Sequence, residues 1–310
     1  MFFMARATAP MLPGWEVSTR TTRMSAGVSM RVVFYRPFPT LFANMQPLLN
    51  IAVRAARRAA DLIVRSLNRL DSLEVSSKGR NDYVTEVDRA AEAEIIATIR
   101  RAYPDHAFLG EESGQSGSGP VEWIIDPLDG TTNFIHGMPH FCVSIGARIR
   151  GRIDHGVVYD PMRQEIFTAS RGDGAHLENR RIRVSAQRGL EGALIGTGFP
   201  YRANTEYLDT YLAMLKDVML NTAGVRRPGS AALDLAYVAA GRTDGFFEIG
   251  LGPWDTAAGS LLVEEAGGRI GTLSGGEFKQ GGNIVAASPK VYEAMLALLA
   301  PHLTPKLRED

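Results

Sequence analysis

The stretch Trp123-Ile124-Ile125-Asp126-Pro127-Leu128-Asp129-Gly130-Thr131-Thr132-Asn133-Phe134 restricts what this chain can fold into more than any other. A β-favouring apolar run ends in two carboxylates three residues apart, then in a glycine and two hydroxyl residues where a new segment begins, so acid is concentrated at a strand's exit. Pro127 fixes one backbone torsion between the acids, and Gly130 permits an approach that no side chain allows, so both carboxylates can be aimed at one point. Such a point calls for a cation. If Gly130, Thr131 and Thr132 open a short helix, their backbone N–H groups face the same point and bind an anion such as phosphate. A cation beside phosphate implies phosphoryl chemistry.

The rest of the chain is consistent with a soluble enzyme. Its 310 residues are 45% hydrophobic with 34 basic and 34 acidic side chains, enough for one large domain or two closely packed halves. No apolar run approaches the roughly 20 residues of a membrane-spanning helix, and neutrality gives no electrostatic reason to expect a nucleic-acid substrate. The single cysteine, Cys142, excludes an intramolecular disulfide and a cysteine-rich metal site; within Phe141-Cys142-Val143 it reads as a buried strand residue, consistent with a reducing cytoplasm. Residues 1–44 stand apart, with five arginines, one acid (Glu16), four prolines and eight Ser/Thr, and no periodicity that asks for a fold. They read as an extension translated from a start codon placed too early, with an organelle transit peptide as the alternative. Met45 directly precedes an amphipathic helix, and residues 45–310 carry 29 basic and 33 acidic residues as one catalytic domain.

Taken in order, Leu48, Leu49, Ala52, Val53, Ala56, Ile63, Leu67 and Leu70 recur at helical spacing from Met45 onward. After a polar turn at 78–82, Thr85-Glu86-Val87-Asp88 resembles a capping box opening a second helix to about Tyr103, so Asp88 reads both as a cap and as a carboxylate near the cation. A short strand at 107–109 delivers Glu111 and Glu112, and the Gly/Ser-rich 114–119 reads as a flexible connection. Strands follow at 141–150, 153–159 and 164–169, with His136 and His140 as loop residues rather than ligands. A strand at 193–197 and a helix at 205–220 lead to a loop at 226–230 and a small-residue helix at 231–240. A strand at 245–250 carries Glu248, and Asp255 reads as the N-cap of the next helix. Gly275-Gly276-Glu277-Phe278 superficially matches a cyclic-dinucleotide synthase signature but lacks its second acid, and reads as a hairpin turn before a last helix at 290–300.

Gly110-Glu111-Glu112-Ser113, the 123–134 stretch and Trp254-Asp255-Thr256-Ala257-Ala258-Gly259 together resemble, in order and spacing, the three signatures of the inositol monophosphatase family, nearest its bacterial extragenic-suppressor branch, over about residues 45–300. The resemblance implies an α/β fold, the layered αβαβα sandwich of the inositol monophosphatase and fructose-1,6-bisphosphatase type, commonly a homodimer. It implies two to three Mg2+ ions and inhibition by Li+. Glu111, Asp126 and the Leu128 carbonyl would hold one ion, Asp126, Asp129 and Asp255 a second, and Glu111 a weaker third through water. Thr131 and Asp88, with Glu111, would serve the attacking water, and the Gly130 and Thr131 N–H groups would hold phosphate. Asp129, Ser230, Ala231, Glu248 and Asp255 would face the alcohol, with Glu248 accepting from ring hydroxyls; Lys78 matches a basic position before the second helix.

The implied activity is Mg2+-dependent hydrolysis of myo-inositol 1-phosphate or a close relative. Fructose 1,6-bisphosphate and histidinol phosphate are the rival substrates; phosphoadenosine phosphatases carry Lys after the first threonine, where this chain has Thr132-Asn133. A binding role is the alternative from another class, since a bacterial relative in this branch associates with the transcription machinery. RNA polymerase or a transcription factor would be the partner; Arg54, Arg57, Arg58 and Arg65 on the first helix read first as a solvated face, with a basic contact face as the alternative.

Overall fold

The computed structural model describes residues 15–23, 29–37, 46–72, 75–79, 82–200 and 205–309. The chain divides into two units, Met1–Met45 and Gln46–Asp310. In the first, β1 (Trp15–Arg23) and β2 (Ser29–Pro37) pair antiparallel, Trp15 opposite Pro37. Met45, the expected start, lies outside the described residues.

The second unit opens with α1 (Pro47–Ser66), where proline takes the first helical position and costs no hydrogen bond. Its apolar stripe is buried, while Arg54, Arg57, Arg58 and Arg65 are exposed; Arg58 pairs with Glu94 and Arg57 lies over the Tyr159 ring. β3 (Val75–Gly79) and β4 (Asp82–Thr85) pair antiparallel around the expected polar turn; the Lys78 side chain lies outside those described. α2 (Glu86–Ala102) begins at an N-cap, Thr85, whose hydroxyl accepts from the Val87 N–H while the Asp88 carboxylate accepts from the Thr85 N–H.

β5 (Ala107–Gly110), β6 (Gly114–Ser116) and β7 (Val121–Asp129) follow, then the single turn α3 (Thr131–Ile135). β8 (Cys142–Ile149), β9 (Arg152–Asp160), β10 (Glu165–Ser170), β11 (Gly174–Leu177) and β12 (Arg180–Arg181) complete an eight-stranded sheet in the order β12-β11-β10-β9-β8-β7-β5-β6. All its pairs are antiparallel except β5 with β7. The Gly/Ser stretch is therefore not a free connection throughout: Gly114–Ser116 pairs as an edge strand, because a positive φ at Gly114 turns the chain back on β5.

β13 (Leu194–Thr197), α4 (Leu208–Asn221), β14 (Gly224–Arg226), α5 (Ala231–Ala239), β15 (Gly245–Leu251), α6 (Pro253–Glu265), β16 (Arg269–Gly271), β17 (Gly282–Ala287) and α7 (Pro289–Leu299) form the second half. Its five-stranded sheet runs β14-β13-β15-β17-β16, parallel on either side of β13. The Gly275-Gly276-Glu277-Phe278 segment connects β16 to β17, which pair antiparallel as a hairpin.

The layers stack as helix, sheet, helix, sheet, helix. α1 and α2 pack on the large sheet, α5 and α6 lie between the sheets, and α4 and α7 close the far side. One core joins Ile124, Val158 and Phe167 of the large sheet to Leu235, Leu261 and Leu262 of the central helices and Phe246 and Ile284 of the small sheet. A second holds Ile195, Phe247 and Val285 against Met214, Val218, Tyr292 and Met295. α6 can lie flat on β8 because both surfaces are small there: a Cβ at Gly146 would stand 2.9 Å from the Ala257 Cβ.

Candidate active site

Side chains alternate across a strand, so acids three apart should face opposite sides of the sheet. In β7 they do not. Asp126 pairs with Ser144 and Asp129 with Cys142, so the three residue steps on β7 span only two on β8. This bulge puts the extra residue where Pro127 has no N–H to lose, and it turns both acids to one side. The strand thus runs through the acids rather than ending before them. Gly130 then turns at φ 99°, where a Cβ would stand 3.0 Å from the His140 carbonyl oxygen, and α3 begins. The first N–H groups of that turn have no intrahelical acceptor.

Asp255 arrives from the far side. Gly252, not Asp255, is the N-cap of α6, because Pro253 takes the first helical position; Asp255, in the first turn, accepts the Gly252 N–H at 2.6 Å. Asp126, Asp129 and Asp255 each bring a carboxylate oxygen within 4.8 Å of the others. Glu111 joins them because β5 runs parallel beside β7, and its N–H donates to the Ile125 carbonyl at 3.1 Å. Its loop is held from behind by the buried Glu92 carboxylate, which accepts the Glu112 and Ser113 N–H groups at 2.9 Å each.

Asp88, 1% exposed, is both cap and site residue. Besides the Thr85 N–H and hydroxyl, it faces the Thr131 hydroxyl at 2.9 Å, which also lies 3.0 Å from the Leu128 carbonyl. One hydroxyl proton serves these two acceptors in turn.

On the opposite side, the N-terminus of α5 grips Asp129. The Ser230 hydroxyl and the Ala232 N–H both donate to its Oδ2 at 2.7 Å. Asn133 ties the halves together, its amide donating to the His140 carbonyl at 2.7 Å and to the Pro228 carbonyl at 2.8 Å.

Electrostatics follow from this crowding. Burial, then the charges of Glu111, Asp129 and Asp255, push Asp126 well above the usual carboxylate range. Burial likewise raises Asp88, against the hydrogen bonds from Thr85 and Thr131. Burial and the charge of Asp129 raise the Cys142 thiol, which stays protonated behind the cluster. The cluster offers oxygen donors alone, the set preferred by hard divalent cations such as Mg2+, and bound cations would relieve the repulsion. The residues fit such ions.

One cavity is lined by Glu111, Asp126, Leu128, Asp129, Gly130, Thr131, Ser230, Ala231, Glu248 and Asp255, every residue expected at the site except Asp88, which stands behind Thr131. His136 and His140 are loop residues outside the acid cluster, and His140 is buried, which lowers its pKa to about 4. Glu92, Asn133 and Asp234 were not legible as site residues. Each binds or faces backbone and side chains distant in sequence, and the one available signal for Glu92 was an acid among the apolar positions of the buried face of α2, which also carries Asp88 and Thr98.

The chain matches the inositol monophosphatase family over residues 44–304. It is 58% identical over 270 residues to Nus factor SuhB of Pseudomonas aeruginosa, covering 85% of this chain and 100% of that protein. Among solved structures, the extragenic suppressor protein suhB of Bartonella henselae superposes with a TM-score of 0.79 at 46% identity, covering 82% of this chain and 98% of that one. The inositol monophosphatase of Anabaena does so with a TM-score of 0.72 at 39% identity, covering 83% and 97%.

Proposed function

The chain belongs to the inositol monophosphatase family, and from that premise we propose that it is a Mg2+-dependent, Li+-sensitive phosphomonoesterase acting on myo-inositol 1-phosphate and related inositol monophosphates. The observation that carries this reading is the convergence of Asp126, Asp129 and Asp255, with Glu111 beside them, in a cavity also lined by Gly130 and Thr131 at the start of a helical turn. The name of the Anabaena relative supports the substrate class.

Glu111, Asp126 and the Leu128 carbonyl, and Asp126, Asp129 and Asp255, would hold the cations, Asp126 serving both, with a third bound more weakly through Glu111. Bound there, divalent cations supply Lewis acidity, lowering the pKa of a coordinated water and neutralising phosphate oxygens. The Gly130 and Thr131 N–H groups orient the phosphoryl group by its oxygens. Thr131 accepts a hydrogen bond from the attacking water while donating its own proton toward Asp88. Asp88, raised by burial, is a stronger base than an ordinary aspartate and takes the proton that the water loses. At the other end Ser230, Ala231 and Glu248 face the alcohol, Glu248 accepting from its hydroxyls. A homodimer and a cytoplasmic location belong to the same reading; among the described residues no helix is long and apolar enough to cross a membrane.

Phosphate release from inositol 1-phosphate, fructose 1,6-bisphosphate and histidinol phosphate, with and without Li+, tests it. Preference for inositol 1-phosphate with Li+ inhibition is expected; equal kcat/KM on all three would replace it with a broad sugar-phosphate phosphatase. The Pseudomonas relative's designation as a Nus factor favours a second role, contact with RNA polymerase or a transcription factor. That role requires a surface, so co-purification with RNA polymerase should survive Asp126→Asn; loss of capture with that variant would tie any contact to the acid cluster.

A further inference from the structure

Asp234 has no part in the chemistry above, yet it lines the same cavity. It sits in the first turn of α5, its N–H donating to the Ser230 carbonyl at 3.0 Å. The side chain is 2% exposed, and its Oδ1 is buried with no hydrogen-bond partner among the described residues. An unpartnered polar atom in the interior is destabilising. A residue there for packing alone would be apolar, as its helix neighbours Ala232, Leu233, Leu235 and Ala236 are.

β13 explains its company. Gly196 lies in that strand and Gly198 directly after its end, and each leaves space that a side chain would fill. A Cβ at 196 would stand 3.6 Å from Asp234 Oδ1, and one at 198 would stand 2.0 Å from Glu248 Oε1. Asp234 thus lies over Gly196 and Glu248 against Gly198, and both carboxyl groups line the same cavity. Burial raises Asp234 well above the ordinary range, with Glu248 the largest of the neighbouring charges and Asp129 next, opposed by Arg227. Arg227 is the one cation lining the cavity among the described residues. Asp234 and Glu248 therefore face one another's charge within a single cavity.

We propose that Asp234 is a positioning residue for Glu248: its carboxyl group holds one Glu248 oxygen, so that the other is presented to a hydroxyl of the substrate alcohol. It thereby sets the preference for polyol monoesters over esters without hydroxyl groups. This rests on the phosphatase reading above and extends it to a residue that never touches the reacting phosphate.

The test compares kcat and KM on inositol 1-phosphate and on 4-nitrophenyl phosphate, which has no hydroxyl for Glu248, for the full chain in Mg2+. Asp234→Ala should raise KM for inositol 1-phosphate about tenfold, the worth of one hydrogen bond to a charged group, while kcat and the aryl ester's constants stay within about twofold. Asp234→Asn, which keeps the shape and a donor, should recover most of the loss. In a Glu248→Ala background, Asp234→Ala should cost nothing more. Asp234→Asn as impaired as Asp234→Ala, equal losses on both esters, or a further loss in the double variant would each overturn the proposal. Asp234→Ser, smaller and still polar, takes the place of the alanine variant if that does not fold. A wild-type protein that hydrolyses both esters equally well would refute the polyol reading itself, and this inference with it.

Discussion

Glu92 makes the sharpest test of how the acid cluster is built, because it holds the backbone behind Glu111 without belonging to the cluster. Its carboxylate accepts the N–H groups of Glu112 and Ser113 at 2.9 Å each, and the bare Cα of Gly110 makes room for it: a Cβ there would stand 2.4 Å from Glu92 Oε2. Hydrogen bonds to a charged acceptor are worth about 1.5–3 kcal/mol each, so Glu92→Ala removes roughly 3–6 kcal/mol before water enters the vacated space, and about 2–4 kcal/mol after it. At 2–4 °C per kcal/mol, the melting temperature should fall by roughly 4–16 °C. Glu92→Gln should cost about half as much, since one amide oxygen still accepts while the NH2 opposes the second N–H. The loop carrying Glu111 loses its anchor, so the Mg2+ concentration for half-maximal phosphate release should rise about 10–100-fold, as for other groups that orient metal ligands. Thermal unfolding and a Mg2+ titration of activity read the two effects. If Glu92→Ala unfolds within about 0.5 kcal/mol of wild type with an unchanged Mg2+ requirement, the anchoring argument is wrong.

Removing charge at the centre should separate activity from stability: Asp126→Asn is expected to abolish turnover, yet to melt higher than wild type in EDTA because repulsion among the acids is relieved; a lower melting point would count against that repulsion. Because the native state holds the Asp126 proton to higher pH than the unfolded chain does, the group's contribution to metal-free stability is intact below about pH 4 and lost as pH rises through its elevated value. The metal-free protein should therefore weaken toward neutral pH, and Mg2+ at 100 times its Kd should restore about 2.7 kcal/mol; equal Mg2+ stabilisation at acid and neutral pH would argue against the linkage. Asp88→Asn should lower kcat about 10²–10⁴-fold with Mg2+ affinity kept, and Thr131→Ser should retain most activity where Thr131→Ala does not; equal rates in the two threonine variants would remove the hydroxyl from the mechanism. Gly198→Ala places a Cβ onto Glu248, so KM for inositol 1-phosphate should rise while hydrolysis of 4-nitrophenyl phosphate changes little; an unchanged KM would free Glu248 from that role.

Much of this molecule was written locally. Helical spacing marked α1, the capping box marked α2, and the apolar runs that became β8, β9 and β10 stood at nearly their final bounds, because periodicity and capping act over a few residues. The acids at 126 and 129 were legible from the strand-end motif itself, whereas those at 111 and 255 were legible only through the family resemblance of their motifs, Asp255 reading locally as a helix cap. Local sequence was silent or misleading where distant segments decide. The Gly114–Ser116 stretch pairs only because β5 lies next to it, and Asp255 moves from the cap into the first turn of α6 because Pro253 takes the position before it.

Motif order and the family resemblance it carries determined which acids belong together, and Asp126, Asp129 and Asp255 do converge. Only the tertiary structure decided how they are held. The bulge that turns Asp126 and Asp129 to one side depends on pairing with β8, the grip of α5 on Asp129 spans 101 residues, and Glu92 and Asp234 act across strands and helices that the sequence does not place together. Residue preference is a property of a few neighbouring torsions, whereas the direction of a buried carboxylate is set by whichever distant donors the fold brings to it.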